Sequence, residues 1–120
     1  MKAKLKLISE QQGEFDLNTY IPDSQDIFSI NIVMGIGIDD GSESLDYFDL
    51  TVCSLHWIKY YIKRPIILRH TMIINQYNFE DIKNYINYCI DKCEGNSWNE
   101  IALKLSRYFF WEYEDFLNLE

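Results

Sequence analysis

The sequence predicts an α+β domain, an antiparallel sheet of about four or five strands covered on one face by two C-terminal helices, with a short helix near 54–62. Three observations predict it. Apolar residues alternate at Phe28, Ile30, Ile32, Met34, Ile36 and Ile38 and again at Phe48, Leu50 and Val52, the period of a strand with one buried face. In the last third the spacing changes to three and four, the period of an amphipathic helix. Strands therefore gather first and helices last, and 120 residues that are 48% hydrophobic suffice for one core, so 1–120 is read as a single domain.

Residues 3–9 set Leu5 and Leu7 against Lys4 and Lys6, the pattern of a half-buried strand. The polar stretch 11–26, with Gly13 and Pro22, is expected to be an ordered connection pinned by Phe15, Leu17, Tyr20 and Ile21. The strand over 28–38 follows; Gly35 and Gly37 leave a bare track on its second face, suited first to a packed ring. Breakers at 39–44 turn the chain, and Phe48, Leu50 and Val52 return as the second arm of a hairpin. Ser54 is placed to cap a helix over 55–62 with Leu55, Ile58 and Ile62 as its apolar face, closed by Pro65. Residues 66–74 are rich in branched side chains and read as a further strand.

Asn78 begins the most regular helix. Phe79, Ile82, Tyr85, Ile86, Cys89, Ile90 and Cys93 make its stripe, and Gly95 stands where a left-handed terminator is wanted. Ser97 with Glu100 has capping-box spacing, so a last helix starts at Trp98 and buries Ile101, Ala102, Leu105 and Tyr108. A short strand or helical turn is expected within 110–116.

Eleven basic against nineteen acidic residues give a net charge of −8, which repels nucleic-acid phosphates and anionic lipid and favours a basic partner. The longest apolar run is interrupted and too short for a membrane helix, and residues 1–12 lack the apolar core of a secretory signal. With an odd number of cysteines (Cys53, Cys89 and Cys93), the expectation is a cytoplasmic protein with free thiols. Charge is segregated along the chain. Asp39, Asp40, Glu43, Asp46 and Asp49 crowd the hairpin and Glu112, Glu114 and Asp115 the tail, whereas 54–76 holds Lys59, Lys63, Arg64 and Arg69 without one carboxylate.

Chemistry is sparse. Cys89 and Cys93 share a helix face, but that face is apolar and no CxxC pair accompanies them, so no metal is assigned. The hairpin acids lack the spacing of a calcium loop, and Gly35 with Gly37 lacks the third glycine of a dinucleotide turn, so no cofactor is assigned either. His56 and His70 have no nucleophile motif around them, and no catalytic residue is named.

Three blocks carry a resemblance. They are Ile27-Phe28-Ser29-Ile30-Asn31-Ile32 with Ile36-Gly37, Phe48-Asp49-Leu50-Thr51-Val52-Cys53 and Trp57-Ile58; the helix over 79–93; and Gly95-Asn96-Ser97-Trp98 running on to Leu105-Ser106-Arg107-Tyr108 and Trp111-Glu112-Tyr113-Glu114-Asp115-Phe116. In order and spacing these blocks resemble the immunity protein 8 family of bacterial polymorphic toxin and contact-dependent growth inhibition systems, with Trp57, Trp98, Arg107, Trp111 and Phe116 as structural motif positions. The chain departs from the family after Cys53, reading Ser54-Leu55-His56 where a proline is usual. The resemblance implies a non-catalytic protein that binds a cognate toxin domain, in many such systems a nuclease, and blocks it. The charge map then nominates Asp39, Asp40, Glu43, Asp46, Asp49, Glu112, Glu114 and Asp115 as the toxin-binding surface, the hairpin first, with nearby rings as anchors. The competing readings are a small hydrolase-type enzyme using His56 or His70, and an oligomerisation module.

Overall fold

Alternation and periodicity place the elements closely, and the computed structural model, which describes residues 1–114, supplies their neighbours. The strands are β1 (Ala3–Glu10), β2 (Ser29–Ile38), β3 (Asp46–Ser54), β4 (Thr71–Ile74) and β5 (Phe110–Trp111); the helices are α1 (Leu55–Tyr61), α2 (Phe79–Asp91) and α3 (Trp98–Leu105). The sheet runs β1-β2-β3-β4, and β5 also pairs with β3. β4 and β5 therefore share one edge of β3: β5 lies antiparallel beside Phe48 and Asp49, and β4 lies parallel beside Thr51 to Ser54.

That parallel pairing departs from the antiparallel expectation for this strand, although the other three pairings are antiparallel. The reason is the helix between β3 and β4: a crossover that carries the chain back along its starting direction makes the strands it joins parallel. β4 is also shorter than the predicted 66–74. Ile66, Ile67 and Leu68 lie exposed ahead of it, and His70 adopts a positive φ of 51° at its start, which breaks the extended run.

On one face Ile30, Ile32, Met34 and Ile36 of β2 and Phe48, Leu50 and Val52 of β3 are buried against Ile82, Ile86, Cys89 and Ile90 of α2 and Ile101, Ala102 and Leu105 of α3. Each such aliphatic side chain removed from water contributes about 1.5–3 kcal/mol. The expected stripes on both helices thus face the core, with Phe79 and Tyr108 only partly buried and Tyr85 half exposed. α1 differs more. It has no fully buried residue, and Leu55 faces solvent.

All three helix starts follow their sequence signals. Ser54 Oγ accepts from Trp57 N at 3.1 Å and also from Phe28 N at 3.2 Å, tying α1 to the entrance of β2. Asn78 Oδ1 accepts from Asp81 N, and Ser97 Oγ from Glu100 N. The Glu100 carboxylate returns to the amide of Asn96, one residue before the cap. α2 ends at Asp91 with Lys92 in a right-handed conformation, so Gly95 is no left-handed terminator. Its lack of a side chain admits α3 instead, because a Cβ there would lie 3.1 Å from Glu100 Cγ and Ile101 Cγ1.

The connection before β2 is pinned by three of the four expected residues: Leu17 is buried, Phe15 stacks on Tyr20, Tyr20 meets Tyr77 edge-on, and Tyr77 Oη donates to Leu17 O at 2.7 Å, whereas Ile21 faces solvent. The glycine track is filled by neither a ring nor a partner. The chain's own hairpin loop lies on it, with Leu45 over Gly35 and the Ser44 carbonyl over Gly37.

Candidate functional site

The β2–β3 connection folds back over the open face of the sheet, and Lys6 of β1 holds it there by donating to Ser42 O at 2.7 Å and Ser44 O at 2.9 Å. The predicted acidic residues then divide into four environments. Asp39, Asp40 and Glu43 project from the tip into solvent. Asp40 Oδ1 accepts from Ser42 N at 2.9 Å, and Ser42, through hydroxyl and amide, with Lys6 adding its charge, holds the Asp40 carboxyl below its usual range.

Asp46 turns the other way. Its Oδ2 accepts from both indole N–H groups, Trp98 at 2.7 Å and Trp111 at 3.0 Å, so this carboxylate ties the hairpin to α3 and β5. Trp111 is buried and stacked on Phe48; Trp98 is half-buried and meets Phe48 edge-on.

The third environment joins the two clusters. The pairing of β5 with β3 sets Asp49 opposite Phe110, and Glu112 exchanges two bonds with Tyr47: its Oε1 accepts from Tyr47 N at 3.0 Å, and its amide donates to Tyr47 O at 3.1 Å. Asp49 is consequently pushed above its ordinary value, first by partial burial and then by the charge of Glu112. Tyr47 and Phe110 stand beside this pair 44% and 37% exposed, large rings that the fold leaves in water. Asn31 and Thr51, linked side chain to side chain at 2.9 Å, border the same open face.

Glu114 occupies the fourth environment, facing Arg69 at 3.3 Å and His70 Nε2 at 3.7 Å, so its charge is compensated. Asp115 and Phe116 lie outside the described residues. Of the other motif positions, Trp57 is half-buried against Tyr61, and Arg107 is exposed.

The histidines do not converge. His56 is exposed on α1, 3.5 Å from Asp26. That carboxyl is held below its usual range by the Ser24 hydroxyl first, with His56 a smaller contributor. His70 lies where β4 and β5 meet along β3, edge-on to Phe110. No hydroxyl or thiol among the described residues is bonded to either ring. Cys53, Cys89 and Cys93 are free and buried, and burial pushes all three thiols up. Among the described residues no three His, Cys, Asp or Glu side chains gather to hold a metal.

The sequence separated the two acidic clusters and missed that they meet. The strand alternation does put Tyr47, Asp49 and Thr51 on the face away from the core, but the strand that pairs beside them is two residues long and carries no periodic signal.

The arrangement is suited to surface contact, with exposed rings and carboxylates on a rigid sheet. The family model described as Immunity protein 8 matches residues 3–116, and the chain belongs to this family of immunity proteins. No curated protein and no solved structure matches the chain.

Proposed function

We propose that this protein neutralises a cognate bacterial toxin by binding it stoichiometrically, without catalysis, through the acidic and aromatic open face built by Tyr47, Asp49, Phe110 and Glu112 together with the hairpin tip. The observation that carries this reading is the Asp49–Glu112 juxtaposition. Two carboxylates, one of them partly desolvated and raised by the charge of the other, are held near each other beside two exposed rings, and the nearby Arg69, which shares a hollow with Asp49, is paired with Glu114. Such an arrangement costs the free protein stability and is relieved by a cationic partner.

A basic toxin fits, and a nuclease, which needs a positive surface for its phosphate substrate, is the natural case. The net charge of −8 would steer the encounter and make its rate fall with salt. Asp46 supports the face from behind, and Glu114 is occupied by Arg69. Three buried thiols suit residence in the reducing cytoplasm, where such a toxin would act.

The test is co-expression with the toxin domain encoded next to it, scored by growth rescue, followed by titration calorimetry at two salt concentrations. Rescue by the wild type is expected, with affinity reduced about tenfold or more and a shallower salt dependence in an Asp49→Asn, Glu112→Gln double variant. Failure of the wild type to rescue would end the immunity reading for that toxin. Rescue with affinity unchanged in the double variant would remove this face from it.

A further inference from the structure

From the end of α1 towards β4 the chain keeps large apolar and cationic side chains in water. Every residue from Lys59 to Leu68 except Ile62 is exposed, Ile67 by 89% and Tyr60, Tyr61 and Ile66 each by more than half. The branched residues that read as strand in the sequence find nothing to pack on here, because β4 begins only at Thr71. An isoleucine so bare stands out from the surface, and a contiguous stretch of this kind marks a contact the fold itself does not use.

Cations are interleaved with these groups. Lys59 lies in the last turn of α1, Lys63 folds back to donate from Nζ to Lys59 O at 3.0 Å, and Arg64 follows. Among the described residues none of the three has a carboxylate within ion-pairing distance, whereas Lys2, Arg69 and Lys104 each have one. Tyr61 meets Tyr60 at 5.1 Å and Trp57 at 5.4 Å between ring centroids, so three rings with polar edges lie along the helix beside the cations.

The acidic hairpin is remote. β3 runs from Asp46, next to the hairpin, to Ser54, the cap of α1, a length of about 26 Å, well beyond the roughly 8 Å over which charges act through physiological salt. The net charge of −8 therefore opposes an anionic surface at a distance, but a surface that touches this stretch meets its local positive charge. Asp26, a carboxylate that does meet α1, faces His56 in the first turn, away from Lys59.

Protruding aliphatic groups, rings with polar edges and unpaired cations are the means by which a protein lies on a bilayer. The aliphatic groups enter the acyl boundary, the rings stay at headgroup level, and the lysine stems carry their charge to the phosphates. A folded acidic protein would satisfy the cations but would need hollows shaped for Ile66 and Ile67. Fluid lipid needs none, and the exposure of these two side chains selects it. We propose that α1 and residues 62–68 form a docking surface for an anionic lipid bilayer, against local charge that the whole-chain balance conceals. The surface is apart from the acidic face and does not depend on the toxin reading.

Flotation of the full chain with vesicles of equal parts phosphatidylglycerol and phosphatidylcholine, at about 0.1 M salt, tests it. Binding is expected. It is expected to fall about tenfold or more on vesicles of phosphatidylcholine alone, in a Lys59→Gln, Lys63→Gln, Arg64→Gln variant, and in an Ile66→Ser, Ile67→Ser variant. All five positions are exposed, so both variants are expected to keep the circular dichroism spectrum of the wild type. An Asp49→Asn, Glu112→Gln variant is expected to float undiminished, which separates this surface from the acidic face. Absence of flotation, equal flotation with phosphatidylcholine alone, or indifference to either the glutamine or the serine variant would overturn the proposal. So would binding of polyglutamate that the glutamine variant abolishes and the serine variant leaves unchanged, which would make an acidic protein the occupant. A dimer in sedimentation that the glutamine variant dissociates would make a second copy the occupant and would overturn it equally.

Discussion

Asp46 gives the most direct test of how the hairpin is held. Its Oδ2 is the shared acceptor for Trp98 Nε1 and Trp111 Nε1 at 2.7 and 3.0 Å, a single anionic atom joining β3, α3 and β5. A hydrogen bond to a charged group is worth about 1.5–3 kcal/mol net, and removing the acceptor strands both donors, one on a buried ring. Because Asp46 and Trp98 are partly exposed and water reaches them, the lower end of that range applies to each bond, and Asp46→Ala is expected to cost about 3 kcal/mol. Asp46→Asn keeps an oxygen in place and loses only the charge, at a cost of about 1 kcal/mol. In a chain of this length 3 kcal/mol corresponds to a fall in Tm of about 10 °C. Urea unfolding followed by tryptophan fluorescence reports on both indoles and supplies the free energies. An Asp46→Ala protein within about 0.5 kcal/mol of wild type would refute the assignment, because a surface carboxylate without structural partners behaves that way.

Two further outcomes follow from the same geometry. The folded-state value of Asp49 is raised above its ordinary 3.8, so the cost of its charge is absent below 3.8 and fully present above the raised value. Asp49→Asn is therefore expected to stabilise the protein at neutral pH and to bring no gain near about pH 3, as read from denaturation at the two pH values; a gain independent of pH would exclude the electrostatic cause. Gly37→Ala would set a methyl group against the Ser44 carbonyl, a backbone atom, and is expected to cost about 2 kcal/mol or more, whereas Gly35→Ala meets first the rotatable end of Leu45, with Leu7 Cβ at 3.1 Å, and should cost less. Equal melting temperatures for the two alanine variants would show that the loop does not rest on the glycine track.

What the residues disclosed was local. Ser54, Asn78 and Ser97 announce their helices because a cap is a bond between a side chain and an amide two or three residues away. Ile30, Ile32, Met34 and Ile36 announce a buried face because alternation is a property of one strand. Which strand lies beside which is decided over longer distances, so the parallel entry of β4 and the joint occupation of β3's edge by β4 and β5 were not legible from alternation. A helix interposed between two strands did offer a hint of parallel pairing. The candidate site was legible in part. Composition showed acidic clusters, but whether a carboxylate points to water, to an indole or to another carboxylate depends on the register of β3 against β5.

The grip of Lys6 on the hairpin bears on how such a protein can change its target. Lysine grasps main-chain oxygens of Ser42 and Ser44, atoms that every amino acid possesses, and Gly37 accommodates backbone rather than a particular side chain. The tip is thus fastened by its thread and not by its lettering. On the proposed reading of the hairpin tip as a toxin-binding surface, positions such as Asp39 and Glu43 can be rewritten for a new adversary while the loop that displays them stays where it is.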